Sequence, residues 1–313
     1  MAVSTGYPDI KISPLLTTLA RGYHNGQLIG TEIFPIVSVD LLSAQIPLFG
    51  KNDMTLYDTR RALRAKSNVI GEGDVQTTTY QCREYDAVVE LDYLERDHAS
   101  FDRKKASIES ATRAIALGRE AQMANLLFNL DSYDDTNKAT LTAGTYLDID
   151  DTDVIKYLYE NVNEKVRSQI GEYPNTYVIP AGVYRFLRSQ ASIKKYFALG
   201  TTPLLTTDFL AQLLGVDRIL IANANTLNTD GSFKPIWGNG IWAGYIKPAQ
   251  ALNSTPYEPA FGYTLQLKGN PYADEFTKDG KVDCYRATDN YDIKIVGKDA
   301  GFYLKNPIDP TKF

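Results

Sequence analysis

The sequence predicts an α+β protein made of an apolar arm, a long extended hairpin, one long helix, a compact α/β module and a strand-rich return. Three observations carry this expectation. Residues 75–95, VQTTTYQCREYDAVVELDYLE, are rich in Thr, Val and Tyr and alternate from side to side as a strand does. Residues 102–130 place Ala114, Leu117, Ala121, Ala124 and Phe128 at three- and four-residue spacing, the period of a helix. Between residues 176 and 222, strand and helix signals alternate over short intervals.

Taken in order, the first forty residues scatter Leu15, Leu16, Leu19, Ile29, Ile33, Phe34, Ile36 and Val37 among Pro14, Gly22, Gly26, Gly30 and Pro35. No helical or strand period persists, so this is expected to be an arm that lies on another surface. Residues 43–97 read as a hairpin with polar faces, Val75, Thr77 and Thr79 on one side and Thr78, Tyr80 and Cys82 on the other. Two polar faces cannot hold a hairpin alone, so it is expected to project and rest on a neighbouring chain. Gly71 and Gly73 place its tip near residues 68–74. Before that tip come Arg60, Arg61, Arg64 and Lys66 with no acid among them. Such a run reads either as a solvated face or as a patch that docks acidic residues of another subunit.

The helix over 102–130 would run about seven or eight turns, with Glu109 placed to pair with Arg113. Gly118 interrupts it at a cost in propensity and is read as a point of close packing. A second helix is expected over 154–168, with the stripe Ile155, Leu158, Val162 and Val166 and a stop at Gly171. Residues 176–179 then read as a strand, Pro180 opens a short helix to Leu187, Thr207 or Asp208 caps a helix to Leu214, and residues 218–222 form a strand. Beyond Ser232 come strands over 240–246, 263–268, 281–286, 292–296 and 302–304, with Asn239-Gly240 as a hairpin turn. Neither an internal repeat nor a low-complexity linker is visible.

Composition narrows the function. A chain of 313 residues has room for about two domains or one elaborate one, and 43% apolar residues support a core. Mean hydropathy is -0.28, and no stretch approaches the roughly 18 uncharged apolar residues of a spanning helix, so no membrane partner is expected. The start lacks a basic stretch followed by an apolar one, so no secretory signal is read and cytoplasmic synthesis is expected. A net charge of -5 argues against a protein built chiefly to grip nucleic acid, while leaving room for weak contact through one basic face. Tyrosines number 21 against 12 Phe and 2 Trp, a balance that suits extended strands and subunit interfaces and equally a Tyr-rich β protein.

Catalytic and metal chemistry find little to work with. His24 and His98 are the only histidines and Cys82 and Cys284 the only cysteines, too few for a zinc site or a Cys-His pair. Walker A, G-x-S-x-G and G-x-G-x-x-G patterns are absent. His98 reads as a surface or capping residue. Asp148 and Asp150 begin a calcium-loop series, but the sixth position is Asp153 and the twelfth Tyr159. These acids, with Asp151, read instead as favouring the N-terminus of the next helix, and Asp131, Asp134 and Asp135 form no metal pattern. Paired carboxylates for glycoside hydrolysis are a spatial feature that sequence does not reveal. Asn253-Ser254-Thr255 matches a glycosylation sequon, read as chance without a secretory signal. No catalytic, cofactor-binding or metal residue is assigned, and no cofactor is expected.

The order of parts resembles the major capsid proteins of tailed bacteriophages, which share the Hong Kong 97-like fold. GTEIFPIVSVD in the arm, DHASFDRKKASIESATRAIALGREAQMANLLFN as the long helix, YVIPAGVYRFLRSQ with LAQLLGVDRILIANA in the α/β module, and YDIKIVGKDAGFYLKN near the end carry the resemblance. It implies an N-terminal arm (1–42), an extended loop or E-loop (43–97), a spine helix and peripheral domain (98–150), an axial domain (151–260) and returning strands (261–313). It also implies a non-enzymatic subunit that self-assembles into pentamers and hexamers of an icosahedral shell around double-stranded DNA. Scaffold, portal and possible decoration proteins would be its partners, DNA contact would be weak and non-specific, and assembly would occur in the host cytoplasm. A shell uses heterologous contacts, so docking by Arg60, Arg61, Arg64 and Lys66 fits the resemblance. No long charged helix precedes the arm, so a separate scaffold or processed precursor is expected. Some relatives lock the shell with a Lys-Asn isopeptide bond. Lys66 would be the E-loop donor, but its Asn and assisting acid are not matched, and the cross-link is not expected. Two alternatives stand beside this reading: an encapsulin-type nanocompartment shell and a carbohydrate-processing enzyme.

Overall fold

The computed structural model describes residues 13–22, 28–48, 56–69, 76–97, 102–149, 152–197, 206–248 and 259–313. His24, His98, the tip glycines Gly71 and Gly73, Val75, Asp150, Asp151 and the 253–255 sequon lie outside them.

The arm is held by its own chain. Helix α1 (Pro14–Gly22) lays Leu16 and Ala20 into a cluster with Leu91, Ile108, Ala273 and Tyr285, and a short helix, α2 (Gly30–Ile33), buries Ile33 completely. Strand β1 (Ile36–Val39) follows. The expectation of an arm without periodic structure is therefore corrected: Leu16 and Ala20, then Ile29, Ile33 and Phe34, then Val37 enter the core from separate short stretches, so no period had room to show.

The extended segment divides at Cys82. Strand β2 (Ser43–Pro47) pairs with β3 (Thr77–Gln81) as an antiparallel hairpin base. The chain then becomes β4 (Arg83–Asp92), which leaves the hairpin and joins a larger sheet. Nor is the base polar on both faces. Tyr80, Ile46 and Cys82 pack with Val37, Tyr263 and Leu265, so the inward face rests on the same chain.

After a five-residue helix, α3 (Tyr93–Asp97), the long helix α4 (Arg103–Leu127) starts at Asp102, whose carboxylate accepts from Lys105 N at 3.1 Å. Its buried positions are Ser107, Ile108, Ala111, Thr112, Glu120, Met123, Ala124 and Leu127. Of the expected stripe only Ala124 is buried, and Ala114 and Gly118 are exposed. A Cβ added at Gly118 would meet nothing within 4 Å, so close packing inside the subunit does not explain this glycine. Glu109 pairs with Lys105 in the preceding turn at 3.9 Å.

Helix α4 lies across one face of a five-stranded sheet ordered β1, β11 (Gly262–Leu267), β13 (Val282–Ile295) and β12 (Tyr272–Lys278), with β4 on the other edge of β13. The expected strands over 281–286 and 292–296 are one continuous strand of 14 residues. Strand β12, YADEFTK, gave no strand signal because its exposed second half sets a single apolar residue, Phe276, among Glu275, Thr277 and Lys278.

The second sheet has the order β5 (Lys138–Thr140), β14 (Gly301–Lys305), β10 (Gly240–Gly244), β6 (Thr176–Pro180) and β7 (Arg218–Ala222). Its helices are α5 (Val154–Leu158), a π turn over Tyr159–Asn163, α6 (Glu164–Ile170), α7 (Ala181–Ser189), α8 (Ala191–Phe197) and α9 (Thr207–Leu214). The stripe Ile155, Leu158, Val162 and Val166 is buried as expected, and each such aliphatic side chain contributes roughly 1.5–3 kcal/mol. The π turn brings Asn163 inward to donate to Leu214 O at 2.8 Å and accept from Tyr177 OH at 2.5 Å. Strands β8 (Asn225–Leu227) and β9 (Phe233–Pro235) make a small hairpin. Asn239-Gly240 is not a hairpin turn: Asn239 donates to Ile308 O at 2.8 Å and so fastens the C-terminal segment, while β10 pairs with β14 and β6.

Candidate assembly surfaces

The basic run lies in a loop beyond the hairpin base. The Ala65 amide donates to Ala62 O at 3.1 Å, and Arg64 occupies the left-handed region with φ 65°, so the chain reverses at Leu63 and Arg64. Asn68 closes the loop, donating to Asp58 O at 3.2 Å and Arg60 O at 3.0 Å. The described reversal thus sits inside the basic run, earlier than the expected tip, whose residues 70–75 lie outside the described ones.

All four cations are exposed. Arg60 lies 3.7 Å from Asp58, and Arg61 donates to Ala65 O at 2.9 Å. Arg64 and Lys66 make no ion pair among the described residues. Beside them Leu56, Leu63 and Val69 are 98%, 92% and 93% exposed. Three nearly naked aliphatic side chains interleaved with cations are costly in water and suit a surface that another molecule covers. The sequence displayed these apolar residues, but only the charge pattern drew attention to the segment.

Sequence reasoning missed a second organising group. Glu120, buried on α4, accepts from Ile29 N at 3.0 Å, Gly30 N at 2.8 Å and Trp237 Nε1 at 3.0 Å. One carboxylate therefore ties the arm to α4 and to the segment between β9 and β10. Burial pushes its carboxyl above the ordinary carboxylate range, against the opposing pull of its three donors and Arg119. The arm passes so close that a Cβ on Gly30 would meet Met123 Sδ at 2.3 Å and Glu120 Oε2 at 2.7 Å, which is why glycine stands there. A glutamate inside a helix that reads as amphipathic gives no sign of burial, because its partners are backbone amides ninety residues away.

A second buried carboxylate, Asp289 on β13, accepts from Arg119 at 3.1 Å and Gln266 at 2.7 Å. Burial raises its carboxyl too. Its partners are fixed structural groups, and the cavity of about 340 Å³ beside Gly118 and Tyr291 is lined by Glu84, Asp86 and Gln122. Among the described residues no group of three or more His, Cys, Asp or Glu could hold a metal ion, and no helix is long and apolar enough to cross a membrane. Asp153 caps α5 by accepting from Lys156 N at 3.1 Å, and Asp148 pairs with Lys312 at 2.7 Å. Cys82 and Cys284 are free and buried, and burial pushes the Cys82 thiol up to about 11.

No protein-family model matches the chain. The major capsid protein of Burkholderia phage BcepMu is 35% identical over 295 residues, covering 94% of this chain and 95% of that protein. The chain belongs to the phage major capsid proteins. The major capsid protein of Pseudomonas phage JBD67 is 26% identical over 220 residues, 68% of this chain and 69% of that one. Among solved structures, a phage-related protein from Bordetella bronchiseptica matches with a TM-score of 0.78 at 25% identity, covering 95% of this chain and 98% of that one.

More distant structures show the fold alone, and phage shells and an encapsulin share it. The capsid of cyanophage P-SCSP1u gives a TM-score of 0.55 at 12% identity, covering 87% and 86% of the two chains. The encapsulin complex from Synechococcus elongatus gives 0.53 at 11% identity, covering 93% and 90%. Fold likeness therefore does not separate the two kinds of shell, whereas sequence identity places this major capsid protein with the phages.

Proposed function

We propose that this capsid protein assembles into pentamers and hexamers of an icosahedral shell around double-stranded DNA and has no enzymatic role. The identity to the BcepMu major capsid protein over nearly its whole length carries the reading. The exposed loop supports it, since its four cations and Leu56, Leu63 and Val69 stand open to solvent on their own subunit. In this reading residues 1–42 are the arm, 98–150 the spine and peripheral region, 151–260 the axial region and 261–313 the returning strands. Residues 43–97 are the E-loop segment, whose last long strand, β4, pairs with β13. Arg60, Arg61, Arg64 and Lys66 dock the loop on another subunit.

A scaffold, a portal and possible decoration proteins complete the set of partners, and assembly takes place in the host cytoplasm. With a net charge of -5 the shell does not grip its DNA tightly. The test is what the particles hold: shells purified from the producing host and treated with nuclease should retain protected double-stranded DNA. Protein cargo in place of DNA would favour the encapsulin-type alternative.

A further inference from the structure

A second set of exposed cations lies far from the basic loop in sequence and differs from it in character. We infer that this set, Arg185 and Arg188 of α7 with Lys194 and Lys195 of α8, meets the phosphate backbone of the packaged double-stranded DNA, so that the α7–α8 side of the second sheet looks into the shell. The inference rests on the proposed reading of a DNA-filled shell and adds the surface on which the DNA lies.

The sequence concentrates this charge. Residues 173–207 hold these four cations and no Asp or Glu, within a chain whose net charge is -5. Val183 and Leu187 of α7 and Ile193 of α8 are buried. A helix that buries those positions turns Arg185, Arg188, Lys194 and Lys195 toward solvent, and all four are exposed. The elbow between the two helices is fixed. Gln190 is buried there and donates to Leu147 O and Ile149 O at 2.8 Å each, while Lys194 N donates to Gln190 O at 3.1 Å. The charges therefore stand on two helices whose junction is held in place.

Pairing sets these cations apart. Elsewhere an exposed lysine commonly stands beside an acid: Lys105 lies 3.9 Å from Glu109, Lys156 3.9 Å from Glu160, Lys268 3.6 Å from Asp40 and Lys278 3.3 Å from Glu90. None of the four on α7 and α8 makes an ion pair among the described residues. Arg185 lies over the ring of Phe186 at 5.3 Å, a contact with a ring face that uses none of its five N–H donors. Unpaired charge of one sign gathered on one side of an acidic protein is the footprint of an anionic partner. Apolar side chains decide which anion. Around Arg60, Arg61, Arg64 and Lys66, the naked Leu56, Leu63 and Val69 supply the apolar centre that a protein interface buries. On α7 and α8 no large apolar side chain among the described residues is exposed. Charge without an apolar centre suits a phosphate backbone, which is held by cations and polar groups alone.

Two variants of equal charge test this. The face variant carries Arg185→Gln, Arg188→Gln, Lys194→Gln and Lys195→Gln; the control carries Lys105→Gln, Lys156→Gln, Lys268→Gln and Lys278→Gln. Each unassembled protein is titrated onto a short fluorescent DNA duplex over a series of low salt concentrations, with folding checked by thermal unfolding. For the natural chain the logarithm of affinity should fall with the logarithm of salt at a slope of about -3 to -4, as four phosphate contacts require. The face variant should lose at least about tenfold in affinity at the lowest salt and most of the slope, and the control should stay within about twofold of the natural chain. No binding by the natural chain, or equal losses in the two variants, would overturn the inference. A face variant that binds the duplex unchanged would overturn it too, and its failure to assemble with a scaffold would assign the face to an acidic protein instead. As a second measurement, independent of any variant, DNA-filled particles of the unaltered chain are irradiated with ultraviolet light, digested, and searched for peptides bearing a nucleotide. Nucleotide-bearing peptides from residues 181–195 are expected, and their absence there would overturn the inference while leaving the shell reading intact. Shells that hold no DNA would defeat both.

Discussion

Glu120 shows how one side chain can set the geometry of distant parts. Its two oxygens receive three donors from the arm and from Trp237, and a glutamine there would turn an NH₂ group toward an amide that needs an acceptor. Glu120→Gln should therefore destabilise the unassembled subunit by about 1–3 kcal/mol, read by denaturant unfolding. The pH dependence has a definite sign. Because burial raises the folded carboxyl above its ordinary value of 4.5, the folded state holds its proton more tightly than the unfolded state. The group's contribution is fully present below the ordinary value and declines as pH rises through the raised one. The stability advantage of the natural chain over the glutamine variant should shrink as pH rises from about 4.5, and an advantage that grows over that interval would contradict the assignment.

At the scale of elements, Gly118 on α4 offers the clearest experiment. A methyl group there meets nothing within 4 Å, so Gly118→Ala should stabilise the free subunit by about 0.5–1 kcal/mol through helix propensity alone. Destabilisation measured by thermal unfolding would mean that the helix packs more closely there than described. This helix also shows where sequence pattern ends. Its existence and its start near Asp102 were legible because small residues recur at helical spacing. Its buried face was not, because Glu120, Thr112 and Ser107 are polar: Glu120 finds its partners across the fold, and Thr112 donates to Ile108 O one turn back on the same helix. The same limit applies to β12, whose acidic and basic half faces solvent, and to the arm, whose helices are too short to display a period. By contrast the stripe Ile155, Leu158, Val162 and Val166 was readable because it is wholly aliphatic, whereas the π turn over Tyr159–Asn163 that brings Asn163 inward gave no signal.

For the whole molecule, the order of parts carried the family resemblance where no single motif did, and an identity of 35% across 94% of the chain agrees with it. The site was only half legible. Its charge stood out in the sequence as a run without acids, whereas the end of the hairpin did not, because the chain leaves it at Cys82 to join β13. That step is a matter of tertiary pairing. The account requires this subunit to be incomplete by itself, with Leu56, Leu63 and Val69 standing in water until a neighbour covers them. Electron microscopy of the purified protein after size exclusion, alone and with a scaffold, tests that most directly. Closed shells or rings of five and six are expected; a monodisperse monomer under every condition would contradict the account.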